Sequence, residues 1–335
     1  MVCAHNINGI GGTCGLNVKV SPTVGGLVSN PDATVIRTPF MGGSATINGT
    51  AVKVWGFNDG YSGLQTGPFP SPTIRVRQGQ IVHTKIYSPS MPHTIHHHGI
   101  EPQQIFDGVG HTSYDILGFY TYQWRPHQAG TYFYHCHTNT VLHAEMGMYG
   151  ALIVDPPKGQ GWAADNTTQY NVERMWAVDD IDTAWHCLDW DAAICGGDAG
   201  LNNFNPNLFC ITGKGQAELN TDANLASPAV AIKCSRGQTV LLRYIVASYV
   251  PQRITFDSRL GDVIVIAEDG RVLPQQNNLG RGAVIIGAAA ERFDIILRPN
   301  TAGTKIPVTI EFLNYRCVSG TPSVIGSIKG YVNVT

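Results

Sequence analysis

Two imidazoles and one thiol stand side by side in the chain, at His135, Cys136 and His137. The run before them, residues 130–134, reads Gly-Thr-Tyr-Phe-Tyr, and its aromatic and β-branched residues favour a β-strand. Because successive side chains of a strand point to opposite faces, both imidazoles should lie on one face and the thiol on the other. The spacing therefore predicts two neighbouring metal sites joined through one short stretch of backbone.

The same alternation applies to a histidine-rich segment upstream, residues 93–99. On a strand His96 and His98 share one face, whereas His93, three residues before His96, lies on the opposite face. His93 is therefore predicted to join Cys136. The histidines of the two segments that share the other face form a predicted four-imidazole cluster of His96, His98, His135 and His137.

Two further residues, His143 and Met148, follow Cys136 in the chain and complete the thiol site. Two imidazoles, a thiolate and a thioether are the ligands of a blue-copper site, in which the thioether is a weak axial ligand. Neither zinc nor calcium requires this combination. The predicted ligands are His93, Cys136, His143 and Met148.

Together these segments resemble the multicopper oxidase family of the cupredoxin superfamily. The pattern His-x-x-His-x-His-Gly, followed by His-Cys-His and then by His and Met, is similar to the copper-binding segments of laccase-type enzymes, in which type 1 copper lies beside a trinuclear cluster. The resemblance implies type 1 copper at His93, Cys136, His143 and Met148, and type 2/type 3 copper at His96, His98, His135 and His137. Asp107 matches an acidic residue that the family uses near the dioxygen-reducing copper to help supply protons.

The remainder of the chain predicts an all-β protein. Only 14% of its 335 residues are charged, Gly and Pro are abundant and long helical periodicity is absent, which is typical of strands joined by turns. The length suffices for two cores of about 150 residues each, and the resemblance makes them two cupredoxin-like Greek-key β-sandwich domains. The predicted divisions are an N-terminal extension (1–40), a cupredoxin domain carrying the copper ligands (41–157), a linker (158–165) and a second cupredoxin-like domain lacking copper ligands (166–335).

Charge and hydropathy narrow the classes of partner. With 22 basic against 24 acidic residues, the chain offers no basis for electrostatic binding to nucleic acid or to a membrane surface. It also has no apolar run of about 18 residues, so no membrane-spanning helix is expected. The expected partners are a small-molecule or metal-ion reductant and dioxygen.

Seven cysteines remain once Cys136 is assigned to copper. Three disulfides with one free or intermolecular thiol would fit an oxidising compartment, so we expect a secreted or periplasmic protein. Cys187 with Cys195 is the favoured pair because the two bracket a short loop, and Cys3 with Cys14 is a weaker candidate.

The second domain departs from the family pattern in its histidines. Of the twelve histidines only His186 lies there, whereas a trinuclear cluster in this family takes four histidines from each of two domains. One chain therefore supplies half of the ligands. Either two first domains meet about a two-fold axis and use the four-imidazole cluster twice, or a separate chain or further domain supplies the rest. We accordingly expect a homo-oligomer or a partner chain.

Two functions agree with these features. The first is an oxidase that performs one-electron oxidation of a phenol, amine or low-valent metal ion at type 1 copper and reduces dioxygen to water at the histidine cluster. The alternative is a non-enzymatic blue-copper protein that transfers electrons or handles copper. Four clustered imidazoles favour the oxidase, because a carrier needs only the type 1 site and unpaired buried imidazoles are costly. Copper nitrite reductase is disfavoured because its catalytic copper needs a second-domain histidine.

Overall fold

The computed structural model of the protein describes residues 26–110, 112–188, 204–224, 229–316 and 320–335. Most of these residues lie in β-strands, so the predicted all-β class is confirmed. The first half contains β1 (Ala33–Ile47), β2 (Thr50–Asp59), β3 (Ser71–Arg77), β4 (Val82–His93), β5 (His96–His98), β6 (Ile116–Trp124), β7 (Gly130–His135) and β8 (Tyr149–Asp155). The second half contains β9 (Val172–Ile181), β10 (Leu208–Ile211), β11 (Ile232–Cys234), β12 (Val240–Val246), β13 (Gln252–Phe256), β14 (Asp262–Glu268), β15 (Arg271–Arg281), β16 (Val284–Gly287), β17 (Arg292–Leu297), β18 (Gly303–Leu313) and β19 (Val324–Val334). Three short α-helices are described, α1 (Thr140–Glu145), α2 (Thr183–Leu188) and α3 (Gln216–Asp222).

Each half folds into a sandwich of two sheets. The sheets of the first sandwich have the strand orders β2-β1-β4-β6 and β3-β8-β7-β5, and those of the second have the orders β10-β9-β12-β17-β14-β15 and β11-β19-β18-β13-β16. Many neighbours in these sheets are not consecutive in the chain, and β1 with β4 and β3 with β8 run parallel. Such crossovers place β7 in the interior of its sheet, between β8 and β5.

The first sandwich begins earlier than the sequence predicted. β1 starts at Ala33, and its first five residues pair in parallel with β4, from Ala33 opposite Val82 to Arg37 opposite Ile86. Residues 34–36 are Thr, Val and Ile, whose β-branched side chains suit a half-buried strand. Residues 33–40 therefore belong to the first sandwich and not to an N-terminal extension.

A crossing between two sheets separates His93 from His96. His93 is the last residue of β4, in one sheet, whereas β5 pairs antiparallel with β7 in the other, with His96 opposite His135. The chain passes between the sheets at Thr94 and Ile95. The prediction that residues 93–98 form one continuous strand is therefore wrong, because the chain changes sheets within the segment.

A network of hydrogen bonds and ion pairs joins the two sandwiches beside β7. Thr131 of β7 donates a hydrogen bond to Asp294 of β17, and Arg243 of β12 lies 3.2 Å from the same carboxylate. Arg243 also pairs with Glu173 at 2.6 Å, and Arg75 of β3 reaches Glu173 at 2.8 Å. Because buried charges are tolerated only when they are paired and hydrogen-bonded, this network fixes β7 against the second sandwich.

No helix within the described ranges is long and apolar enough to cross a membrane. Cys136, Cys187, Cys210 and Cys234 take part in no disulfide within the same ranges. The pairs favoured from the sequence cannot be placed, since Cys195, Cys3 and Cys14 lie outside the described residues.

Candidate metal centres

The thiol of Cys136 lies between two imidazoles. Its Sγ is 3.1 Å from Nδ1 of His143 and 3.6 Å from Nδ1 of His93. All three side chains are buried, and their ligand atoms lie within 4.8 Å of one another. Two ring nitrogens and a thiolate around one point suit copper, so the residues fit the metal that the sequence implies.

Three elements of the first sandwich bring these ligands together. His93 ends β4, Cys136 directly follows β7, and His143 lies on α1. Thr94 links the first two, because its N–H donates to Cys136 Sγ at 3.5 Å and its Oγ1 accepts a hydrogen bond from the N–H of His137 at 2.8 Å. The sequence pattern did not predict this role of Thr94, and its only signal was a position within the histidine-rich segment 93–99.

Two buried methionines follow α1, and their backbone contacts distinguish them. Met148 donates its N–H to the carbonyl of His143 at 2.9 Å, and its own carbonyl accepts from the N–H of Cys136 at 3.0 Å. The carbonyl of Met146 instead accepts from the N–H of Trp55 at 2.7 Å. Met148 is thus tied to two predicted ligands, which supports it over Met146 as the axial ligand.

Met148→Leu should keep the blue absorption of the copper-loaded protein and raise its reduction potential, because a weak donor to Cu(II) is lost while the trigonal ligands remain. In a redox titration we expect a rise on the order of 59 mV, which corresponds to a tenfold change in the equilibrium constant of a one-electron couple. Met146→Leu is the matched control, since both methionines are fully buried, and should leave the potential unchanged. A shift in the control alone would assign the axial position to Met146.

Burial sets the protonation of the thiol site before metal binds. It lowers the pKa of His93 to about 3 and, together with the nearby His93, lowers the pKa of His143 well below its ordinary value. It raises the pKa of the Cys136 thiol to about 11. Both imidazoles are therefore neutral and keep lone pairs for a metal, whereas the thiol must lose its proton when metal binds.

The four remaining predicted histidines meet on the other side of Cys136. The ligand atoms of His96, His98 and His135 lie within 4.8 Å of one another. The ring of His137 is centred 5.4 Å from that of His96 and 5.7 Å from that of His135. The structure thus brings seven of the predicted ligand side chains together in two groups, His93, Cys136 and His143 in one and the four cluster histidines in the other, while Met148 is joined to the first group through its backbone hydrogen bonds.

Hydrogen bonds fix which nitrogen three of these rings present to the cavity they share. Nδ1 of His96 donates to the carbonyl of Asp107 at 2.7 Å, and Nδ1 of His135 donates to the carbonyl of Cys136 at 2.8 Å. Thr140 Oγ1 donates to the carbonyl of His137 and so accepts from Nδ1 of the same ring at 2.9 Å. Each ring therefore keeps its proton on Nδ1 and a lone pair on Nε2, as metal-ligating histidines with an outer hydrogen-bond partner do.

His98 completes this group, with Nδ1 3.3 Å from the Nε2 lone pair of His135. Burial, followed by the charge of Arg292 in the second domain, lowers the pKa of His98 to about 3. Burial and the nearby His96 hold the pKa of His135 well below its ordinary value. His98 and His135 are thus neutral imidazoles, which is the state that binds metal.

The four imidazoles line a cavity of about 260 Å³ whose other wall comes from the second domain. That wall includes Val246, Ala247, Tyr249 and Ala290, none of which is a ligand that copper prefers. His186, the single histidine of the second domain, lies on α2 and is not among the lining residues. The second domain therefore shapes this cavity without adding imidazoles to it.

Asp107 and His97 occupy supporting positions. The Asp107 carboxylate lies 3.3 Å from Nδ1 of His96, and its side chain is 28% exposed, so it joins the histidine cluster to solvent. His97 is buried, packs on Trp124 at 4.6 Å and bonds to Thr84 Oγ1 at 2.9 Å. His97 belongs to neither group of ligand atoms in the described residues.

Similar proteins of known type share both the fold and part of the sequence. Residues 43–159 match the family described as multicopper oxidase. The chain is 31% identical to an L-ascorbate oxidase of Cucumis sativus over 172 residues, 47% of this chain and 27% of that protein. It is 34% identical to a copper resistance protein A homolog of Pseudomonas syringae pv. tomato over 114 residues, 33% of this chain and 19% of that protein. The chain thus spans at most 27% of the length of these relatives.

Among solved structures, the blue copper oxidase of Nitrosomonas europaea superposes with a TM-score of 0.66 at 24% identity, over 90% of this chain and 86% of that one. At this identity the superposition establishes the fold, and it confirms two cupredoxin-like sandwiches. The chain therefore has a fold of two cupredoxin-like sandwiches. The sequence of its first domain is similar to the multicopper oxidase family, and the match covers residues 43–159. The resemblance predicted from the sequence is thereby confirmed.

Proposed function

We propose that the protein is a copper-dependent oxidase that takes single electrons from a small reductant and reduces dioxygen to water. The observation that carries this proposal is the position of Cys136, whose side chain lies with His93 and His143 while its chain neighbours His135 and His137 line the imidazole cavity. A protein that only carried electrons would need the first group alone.

The proposed copper ligands are those of the two groups. His93, Cys136, His143 and Met148 would hold type 1 copper, and His96, His98, His135 and His137 would hold type 2/type 3 copper. When bound, copper supplies the one-electron redox chemistry by which the reductant is oxidised and dioxygen is reduced.

The other residues orient these ligands and move protons. Asp107 holds the ring of His96 through its carbonyl and places a partly exposed carboxylate beside it. This carboxylate is therefore suited to pass protons from solvent towards the dioxygen side. The apolar wall of Val246, Ala247 and Ala290 limits the water in the cavity, which strengthens electrostatic interactions there.

The proposal requires a second source of imidazoles. The chain provides four histidines at the cavity, and the second-domain residues that line it include no histidine. We propose that another subunit completes the cluster, either a second copy related by a two-fold axis or a partner chain.

Copper content and mass, measured on one sample, test this proposal. A symmetric oxidase should hold about two and a half copper ions per chain, one at the type 1 site and half of a shared cluster of three, and should sediment as an oligomer. A partner-chain oxidase should reach this content and consume oxygen only after the partner is added. One copper per chain in a monomer that exchanges electrons would instead identify the blue-copper carrier, and a fully active monomer without a partner would exclude both forms of the oxidase.

The reductant and the compartment belong to the same proposal. We propose a phenol, an amine or a low-valent metal ion as reductant. The relatives named L-ascorbate oxidase and copper resistance protein A support a small organic molecule or a metal ion. The number of cysteines supports an oxidising compartment, outside the cell or in a periplasm.

A further inference from the structure

His186 belongs to the second domain, yet both of its ring nitrogens contact the first. Its Nδ1 lies 2.5 Å from the carbonyl of Lys53 on β2. Its Nε2 lies 3.0 Å from the carbonyl of Glu145, at the end of α1, and 3.5 Å from a carboxylate oxygen of the same residue. The ring is only 2% exposed, so water does not replace these partners.

The chemistry of these three partners decides the protonation of the ring. A carbonyl oxygen only accepts hydrogen bonds, so each ring nitrogen must carry a proton in order to bond to its carbonyl. A neutral imidazole has one N–H group, whereas the imidazolium ion has two. The Glu145 carboxylate, which also accepts from the N–H of Asp182 at 2.8 Å, is placed to balance the charge. Burial opposes the charged ring, but the contacts with Glu145 outweigh it and raise the pKa of His186.

The two carbonyls belong to segments that enclose the thiol site. Glu145 is two residues after His143 on α1. Lys53 is two residues before Trp55, whose ring packs edge-on against His143 at 5.4 Å. The backbone N–H of Trp55 donates to the carbonyl of Met146 at 2.7 Å. A ring that bridges Lys53 and Glu145 therefore sets the distance between β2 and α1 on the side where His143 is held.

We propose that His186 is a positioning residue of the type 1 site, which as an imidazolium ion holds α1 against β2 and thereby fixes His143. The inference rests on the proposed copper site, since the metal is what His143 would bind. It gives the second domain, which supplies no copper ligand, a direct part in the geometry of the thiol site.

The protonation of His186 is testable without metal. In copper-free protein labelled with ¹⁵N at histidine, NMR at neutral pH should show two N–H groups on one buried ring, and this signal should be missing from His186→Gln. A single N–H on His186 in the unaltered protein would overturn the proposal. This measurement needs no copper. The variant serves only to assign the signal to His186, so it need not be as stable as the unaltered protein.

Positioning is tested on the copper-loaded protein. His186→Phe keeps an aromatic ring and removes both donors, so the blue band should shift and copper should be held about tenfold more weakly, the lower end of the range for residues that orient a ligand. His186→Gln retains one donor and should lose less. The matched control is His83→Gln, which alters another buried histidine. His83 lies on β4 and its ring is hydrogen-bonded to Gln123 at 3.0 Å, and its replacement should leave both readouts unchanged.

The outcomes separate this proposal from the oxidase. An unchanged band and copper affinity in folded His186→Phe would overturn the positioning role. If His186→Phe does not fold, His186→Gln decides through the same two readouts. Neither readout involves oxygen consumption, so a protein that proves to be a carrier would still support or overturn the role of His186.

Discussion

Cys136→Ser should abolish the intense visible absorption of the copper-loaded protein while leaving it folded. The thiolate is the source of that absorption, and a hydroxyl is a poor ligand for a soft copper site. The structure supports a large effect, because Cys136 Sγ lies 3.6 Å from Nδ1 of His93 and 3.1 Å from Nδ1 of His143. Absorption spectra of the variant and the unaltered protein at equal copper content measure the loss.

Cys210→Ser provides the matched control for this prediction. Cys210 is also a fully buried thiol, on β10 of the second domain, and belongs to neither group of ligand atoms in the described residues. Its replacement should lower stability to a similar degree and leave the blue band intact. A Cys136→Ser protein with the same band as the unaltered protein would refute the assignment of the thiol site.

His98→Ala should remove oxidase turnover and leave the blue absorption in place. The ring of His98 faces His135 in the imidazole cavity and does not touch the thiol site. Loss of a ligand should cost more than the roughly 100-fold that marks the loss of an outer partner. Oxygen consumption and the visible spectrum, recorded on the same sample, give the two readouts.

The adjacent histidine supplies the control for His98→Ala. His97 packs on Trp124 on the opposite side of β5, so His97→Gln should retain turnover.

If two first domains share the cluster, activity of the unaltered protein should also fall on dilution to monomers, because each monomer holds half of the ligands. Turnover that survives His98→Ala would place dioxygen reduction elsewhere or assign the protein to the carriers.

The part of the site that sequence predicts best is the part fixed by local geometry. His135 and His137 flank Cys136, and the alternation of a strand sends their side chains away from the thiol whatever the rest of the fold does. His93 was assigned to the thiol group on the assumption that it lies on the same strand as His96. In the structure the two residues lie in different sheets. Alternation along one strand does not hold across a crossing between sheets, so the position of His93 beside Cys136 depends on the tertiary fold.

Contacts between distant segments could not be predicted. The carbonyl of Asp107 that orients His96 and the pairing of His186 with Lys53 both depend on how strands stack, and no local pattern encodes them. The start of β1 at Ala33 was missed because its parallel partner β4 lies about fifty residues further along the chain, beyond the range of any periodicity argument. Local rules therefore predicted the candidate ligands, and tertiary packing decides how each side chain is held.

The ionic network beside β7 bears on whether the first sandwich can be separated from the second. Thr131 is fastened to Asp294, and Arg243 is buried among acidic groups that depend on it. Cutting the chain between the sandwiches would separate Asp294 and Arg243 from Thr131 and would separate Glu173 from Arg75, and it would expose the strand that precedes Cys136. The ligand-bearing sandwich is therefore not a transplantable unit, and a graft that aims to move its metal chemistry into another scaffold must carry both sandwiches.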